Sequence, residues 1–154
     1  MSEAIIERNA DSGVKAVDCR LTVSNNRITA NGKGMVLTAC EGSVTGNSFV
    51  KNIGYGLHLG KSRVRLYGNV IEQNGGNGLE VEDGAALAWG NAITANGGYD
   101  CYNFGQEEFT AIANWWGGLS DIEVASRIYD RQADGRRGKV QFLPLLRSRP
   151  AAVR

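Results

Sequence analysis

A chain of 154 residues with 17 basic and 16 acidic side chains lies in the single-domain range and has no global electrostatic pull toward nucleic acid or membrane surfaces. Its 21 Gly against 2 Pro suit a backbone that turns often yet keeps its N–H groups for ladders, and three Cys without a CxxC argue against a disulfide scaffold or zinc knuckle. Met1–Ile6 lacks the basic and apolar regions of a secretory leader, and no run of about 18 apolar residues occurs, so neither secretion nor membrane insertion is encoded in this chain.

The first element, Ala4 to Glu7, begins inside a repeat, at its third-strand position, with no amphipathic helix ahead of it. Such an end exposes unpaired strand groups and the side chains of Ile5 and Ile6. Either another chain covers them, or the polypeptide is one piece of a longer solenoid.

From there the chain repeats itself. Gly46-Asn47-Ser48-Phe49, Gly68-Asn69-Val70-Ile71, Gly90-Asn91-Ala92-Ile93 and Ala113-Asn114-Trp115-Trp116 follow one another at 22, 22 and 23 residues, and Asn26 precedes Asn47 by 21. Five residues after four of these asparagines stand Asn31, Asn52, Asn74 and Asn96, and the same spacing walked backwards reaches Asn9. A constant period of this length is the mark of a solenoid. After the second Asn comes a Gly turn and an alternating stretch, as in Gly34-Met35-Val36-Leu37, Gly56-Leu57-His58-Leu59 and Gly78-Leu79-Glu80-Val81, with Asp100-Cys101-Tyr102-Asn103 in the same place. A second strand points Leu21/Val23, Gly42/Val44, Val64/Leu66, Ala86/Ala88 and Phe109/Ala111 inward, and a third carries Ile28, Phe49, Ile71, Ile93 and Trp116.

Three short strands per turn of about 22 residues predict an all-β parallel β-helix of about five turns, stacked at about 4.8 Å so that like residues lie over like. The bends leave backbone N–H and C=O groups pointing inward. Asn, carrying a donor and an acceptor, satisfies them and its own copies above and below.

The N-x-[IF]-x-x-N repeat with Gly turns resembles the right-handed parallel β-helix repeats of the pectin-lyase-like superfamily over roughly residues 3–116. Right-handedness is implied by that resemblance, as is an extracellular or cell-surface, bacterial setting for the full-length protein. The closing stretch, from Asn114-Trp115-Trp116-Gly117 to Leu143-Pro144, looks like the C-terminal closure of bacterial β-helix repeat proteins. The expected organisation is therefore repeats over 1–116, a closure over 117–146 and a basic tail over 147–154.

In the closure, Ser120-Asp121-Ile122-Glu123 reads as a capping box. A short helix is expected to about residue 130, with Ile122, Ala125 and Ile128 or Tyr129 as its apolar stripe over the last turn. Val140-Gln141-Phe142 reads as a brief strand, and Phe142, Leu143, Leu145 and Leu146 need cover on the side of the solenoid. The tail, with Arg147, Arg149 and Arg154, reads as a solvated end, a polyanion contact being the alternative.

Stacking turns outward residues into columns, where a function has to reside. One column runs Lys15, Val36, His58, Glu80, Tyr102, with Glu82 and Asp83 beside it and Tyr55, Asn77 and Tyr99 alongside. A His beside a carboxylate can act as general acid or base, or simply form a cross-strand pair. Superfamily enzymes use carboxylate clusters, with calcium in the lyases and paired acids in the hydrolases. Here the outer face offers only Glu80, Glu82 and Asp83. His58, Glu80 and Glu82 are the candidate catalytic groups, and His58, Glu80, Tyr102 and Tyr99 the candidate ligand-binding ones. No metal or cofactor is expected, calcium entering only under the lyase reading.

A second column, Ser24, Thr45, Tyr67, Trp89, Ile112, flanked by Arg65 and Leu87, makes an apolar patch of Tyr67, Leu87, Trp89 and Ile112. Three covers are open: the segment Phe142–Leu146, a second chain, or sugar rings. Cys19 and Cys40 stack on adjacent turns, open to reduced packing, to a strained disulfide or to metal capture, while Cys101 takes an inward core position. These features suggest a non-catalytic module, a scaffold or carbohydrate-recognition element that self-associates through the patch or through Ile5 and Ile6. The alternative is a small polysaccharide lyase or glycosidase working from the His58, Glu80, Tyr102 face.

Overall fold

The computed structural model describes residues 1–151. Strands β1 (Ile5–Glu7), β2 (Ser12–Val17) and β3 (Arg20–Ser24) form the first turn, and β4 (Arg27–Thr29), β5 (Lys33–Thr38) and β6 (Glu41–Thr45) the second. The third turn holds β7 (Ser48–Val50), β8 (Leu57–Gly60) and β9 (Arg63–Tyr67), and the fourth β10 (Val70–Glu72), β11 (Leu79–Glu82) and β12 (Leu87–Trp89). The fifth holds β13 (Ala92–Thr94), β14 (Cys101–Asn103) and β15 (Phe109–Thr110), after which come α1 (Asp121–Ser126), β16 (Ile128–Tyr129) and β17 (Val140–Gln141).

Like strands pair in parallel into three sheets, β1-β4-β7-β10-β13, β2-β5-β8-β11-β14-β16 and β3-β6-β9-β12-β15-β17. Registers such as Ile28↔Phe49 and Ile71↔Ile93 set identical repeat positions over one another. Met35, Leu57, Leu79 and Cys101 fill the bore from the second sheet, Val44, Leu66, Ala88 and Ala111 from the third, and Phe49, Ile71, Ile93 and Trp116 from the first, all buried. Burying each Val, Leu, Ile, Met or Phe among them contributes about 1.5–3 kcal/mol.

Both asparagine columns are continuous ladders. Asn47 Oδ1 accepts from the backbone and side-chain amides of Asn26, and Asn47 Nδ2 donates to Asn69 Oδ1 at 3.1 Å and to the carbonyls of Val23 and Thr45. The run ends on Asn114, which accepts both amides of Asn91. The second column runs from Asn9 through Asn31, Asn52 and Asn74 to Asn96, whose amides donate to Asp100 Oδ1 at 3.1 and 2.9 Å. Arg127 Nε then donates to Asp100 Oδ2 at 3.1 Å, and its Nη2 to the carbonyls of Asn96 and Gly98.

The closure departs from expectation at the helix. The capping box forms, Ser120 Oγ accepting from Glu123 N and Glu123 Oε2 from Ser120 N, but α1 ends at Ser126. Ile122 is 84% exposed and Val124 makes the buried contact, so the stripe through Ile122 is incorrect. Ile128–Tyr129 leaves the helix because pairing with Cys101–Tyr102 satisfies its backbone on the open edge of the second sheet. The strand at Val140–Gln141 does likewise on the third sheet, against Phe109–Thr110. The tail is not simply solvated: Arg149 makes two hydrogen bonds to the Glu72 carboxylate, at 2.9 and 3.0 Å, and lies over the Trp115 ring. Arg154 lies outside the described residues.

Candidate functional site

The outer face of the second sheet carries the expected column. Lys15, Val36, His58, Glu80 and Tyr102 are in register from turn to turn, and Tyr129 on β16 extends it by one. His58 Nδ1 lies 3.0 Å from Glu80 Oε1, while Asn77 Nδ2 donates to Glu80 Oε2 at 2.9 Å. Both carboxylate oxygens are thus engaged by neighbouring side chains. His58 and Glu80 are largely covered, at 17% and 12% side-chain exposure.

Aromatic rings provide the cover. Tyr55 and Phe104 lie 5.6 and 5.5 Å from the His58 ring, centroid to centroid. Tyr102 and Tyr129 are stacked in parallel at 4.3 Å, and Tyr99 stands across both at about 60°. Tyr99 is held by its own N–H, which donates to Asn77 Oδ1 at 2.7 Å, so Asn77 orients the acid and a ring at once. Four of the five tyrosines of the chain gather on this face, Tyr55 against His58 and Tyr99, Tyr102 and Tyr129 against one another. Burial pushes the Tyr55 phenol above its ordinary value against the pull of Lys33, and burial followed by the neighbouring Tyr129 does the same for Tyr102. Both stay neutral, hydrogen-bonding hydroxyls through the physiological range.

The other candidate acids are placed differently. Glu82 is half-buried one register step along β11, opposite Gly60, and makes no side-chain hydrogen bond among the described residues. Asp83 Oδ1 accepts the backbone N–H groups of Gln106 and Glu107, which commits it to a corner. The described residues bring no three His, Cys, Asp or Glu side chains into a metal-holding group.

Two residues of this face escape a reading by columns as first drawn. Phe104 stands 22 residues after Glu82, so the same arithmetic reaches it. Tyr129 follows Tyr102 by 27, because α1 is inserted into the turn, and only its inward-outward pairing with Ile128 marks it as a strand residue.

The apolar patch lies on the third sheet, in the expected register Thr45↔Tyr67↔Trp89. Tyr67, Leu87 and Ile112 are each about 40% exposed, Trp89 is half-buried, and Tyr67 and Trp89 pack at 5.4 Å. The segment Phe142–Leu146 flanks the patch without covering it: Leu146, with Pro150 and Ala151, forms one wall of a groove over Tyr67, Trp89, Gly90 and Ala113. At the other end, Ile5 is 69% exposed on β1, an edge strand, and Ile6 is half-buried. A depression of about 470 Å3 lies further along the third sheet, between Arg20, Arg63 and Arg65, over Gly42 and Ser43.

Three stacked parallel sheets with two amide ladders define a parallel β-solenoid. Residues 1–115 match the family described as right handed beta helix region, and the chain belongs to that family. No curated protein and no solved structure matches it.

Proposed function

We propose that this chain is a non-catalytic β-helix module that recognises carbohydrate on the tyrosine face and acts as a scaffold by associating with copies of itself. The observation that carries the reading is the state of Glu80. Its two oxygens are held by His58 and Asn77, so the acid braces the face instead of standing free for proton transfer. The rings of this face combine apolar surface with neutral hydroxyls, the pairing that a sugar ring with its C–H face and its hydroxyl rim requires. Five turns give a face of about 24 Å, enough for a few sugar units.

The second reading, a small polysaccharide lyase or glycosidase, is favoured by one feature, the His58–Glu80 pair itself, which has the form of a base and its orienting acid. One experiment separates the two. Retardation in gels containing neutral or anionic polysaccharides is measured alongside release of reducing or unsaturated ends, with and without calcium. Binding without release is expected, weakened about fivefold in Tyr102→Ala. Release abolished by Glu80→Gln would make the chain an enzyme instead.

A further inference from the structure

We propose that Cys19 and Cys40 form a reversible dithiol–disulfide site that exchanges with low-molecular-weight disulfides and, when oxidised, staples the first two turns together. In the first three turns the bend between the second and third strands is built like the asparagine corners: Asp18, Ala39 and Lys61 adopt left-handed backbone, and the next residues, Cys19, Cys40 and Ser62, turn toward the bore. Glu41 N donates to the Cys19 carbonyl at 2.8 Å and Arg20 pairs with Glu41, so the two cysteines sit one directly over the other. Their sulfurs are 3.2 Å apart, closer than ordinary contact between unbonded sulfurs. The spacing of stacked turns, about 4.8 Å, falls within the Cα separation that a disulfide spans, at its short end.

As rungs of a hydrogen-bond ladder the thiols are poor. Ser62 donates to the Gly60 carbonyl and accepts from Cys40 N, both at 3.0 Å, whereas Cys40 Sγ, a weaker donor, faces the carbonyls of Ala16 and Thr38 at 3.4 and 3.3 Å. A pair of serines would serve this bend better, so the sulfur chemistry itself distinguishes the position. Access is asymmetric. Cys19 opens onto a surface depression shared with Asp18, Arg20, Ala39 and Glu41, while Cys40 is buried behind it.

That asymmetry orders the steps. The Cys19 thiolate attacks one sulfur of the small disulfide, forming a mixed disulfide and releasing one small thiolate. The Cys40 thiolate then attacks Cys19 Sγ and displaces the second. The two cysteines together lose two protons and two electrons, and the small disulfide is reduced to two thiols. The hydrogen bond to Cys40, then burial, hold the Cys19 thiol above its ordinary value, with Asp18 adding repulsion, so alkaline medium favours the attack. The cross-link spans 21 residues at the end of the solenoid where Ile5 and Val17 are exposed. Cys101, fully buried in the bore with its thiol pushed far up by burial, is the internal control.

The test treats fully reduced protein with oxidised glutathione at about pH 8.5. Free thiols are expected to fall from three to one, with a Cys19–Cys40 peptide link by mass spectrometry. The thermal midpoint should rise by about 5 °C and return with dithiothreitol. Phenylarsine oxide, which bridges adjacent thiols, should bind the reduced chain one to one and not bind Cys19→Ser. Three persisting free thiols, a mixed disulfide that never resolves, or arsenical binding retained in Cys19→Ser would each overturn the site. An unchanged midpoint in the cross-linked protein would overturn the stapling.

Discussion

Each corner that carries a ladder asparagine is a single residue in left-handed backbone followed by that asparagine turned into the bore. Arg8, Ala30, Lys51, Gln73 and Ala95 precede the asparagines of one ladder, and Asn25, Gly46, Gly68, Gly90 and Ala113 those of the other. Only three of these ten corners are glycine, although left-handed backbone costs another L residue about 1–2 kcal/mol. The following amide offsets that cost by hydrogen-bonding the backbone groups that the corner turns inward. Ala95 is exposed, where a change of side chain is ordinarily harmless, yet its φ of 56° is one that a β-branched residue avoids. Ala95→Val is therefore expected to destabilise by about 2 kcal/mol and Ala95→Gly to be neutral or mildly stabilising, read from urea midpoints. Equal midpoints for the two variants would show that the corner is not under this constraint.

At the scale of elements, the informative region is the end of the second ladder. Four turns use Gly where the fifth has Asp100, and that side chain takes the place of a further asparagine by accepting both amides of Asn96. A buried carboxylate needs a counter-charge. Arg127, the residue that ends α1 just before the chain resumes as strand, supplies it. Arg127→Met leaves Asp100 buried and unpaired and is expected to cost at least about 3 kcal/mol. Asp100→Asn added to it should recover most of the loss, because an amide completes the ladder without a charge. Failure of that second change to rescue, in equilibrium urea unfolding of single and double variants, would mean that Arg127 acts through its packing and its hydrogen bonds to the Asn96 and Gly98 carbonyls instead of through its charge.

At the scale of the molecule, stacking gives every outer face a fixed set of columns, and two of them carry unused surface. Tyr67, Leu87 and Ile112 stand exposed beside Trp89 on the third sheet, and Ile5 at the rim of the first. Under the assembly reading, light scattering at micromolar concentration should give a mass above that of one chain, and Leu87→Asp or Ile5→Lys should return it to one. A single-chain mass for the unaltered protein would remove self-association from the proposal and leave the tyrosine face standing alone.

The period of 21 to 23 residues and the paired asparagines were enough to predict the solenoid, its three strands per turn and the His58, Glu80, Tyr102 column, because a regular stack turns sequence spacing into position. The same arithmetic fails wherever an insertion breaks the period. Tyr129 joined the site only through the pairing of β16 with β14, and Arg149 reached Glu72 across 77 residues of chain. Left-handed corners at Lys51 or Gln73 carry no signature of their own, since those residue types take that backbone only when neighbouring turns compel it. Local repetition is written along the chain. Closure, counter-charge and the addition of Tyr129 to the other three tyrosines arise when distant segments compete for the same open edge and buried charge.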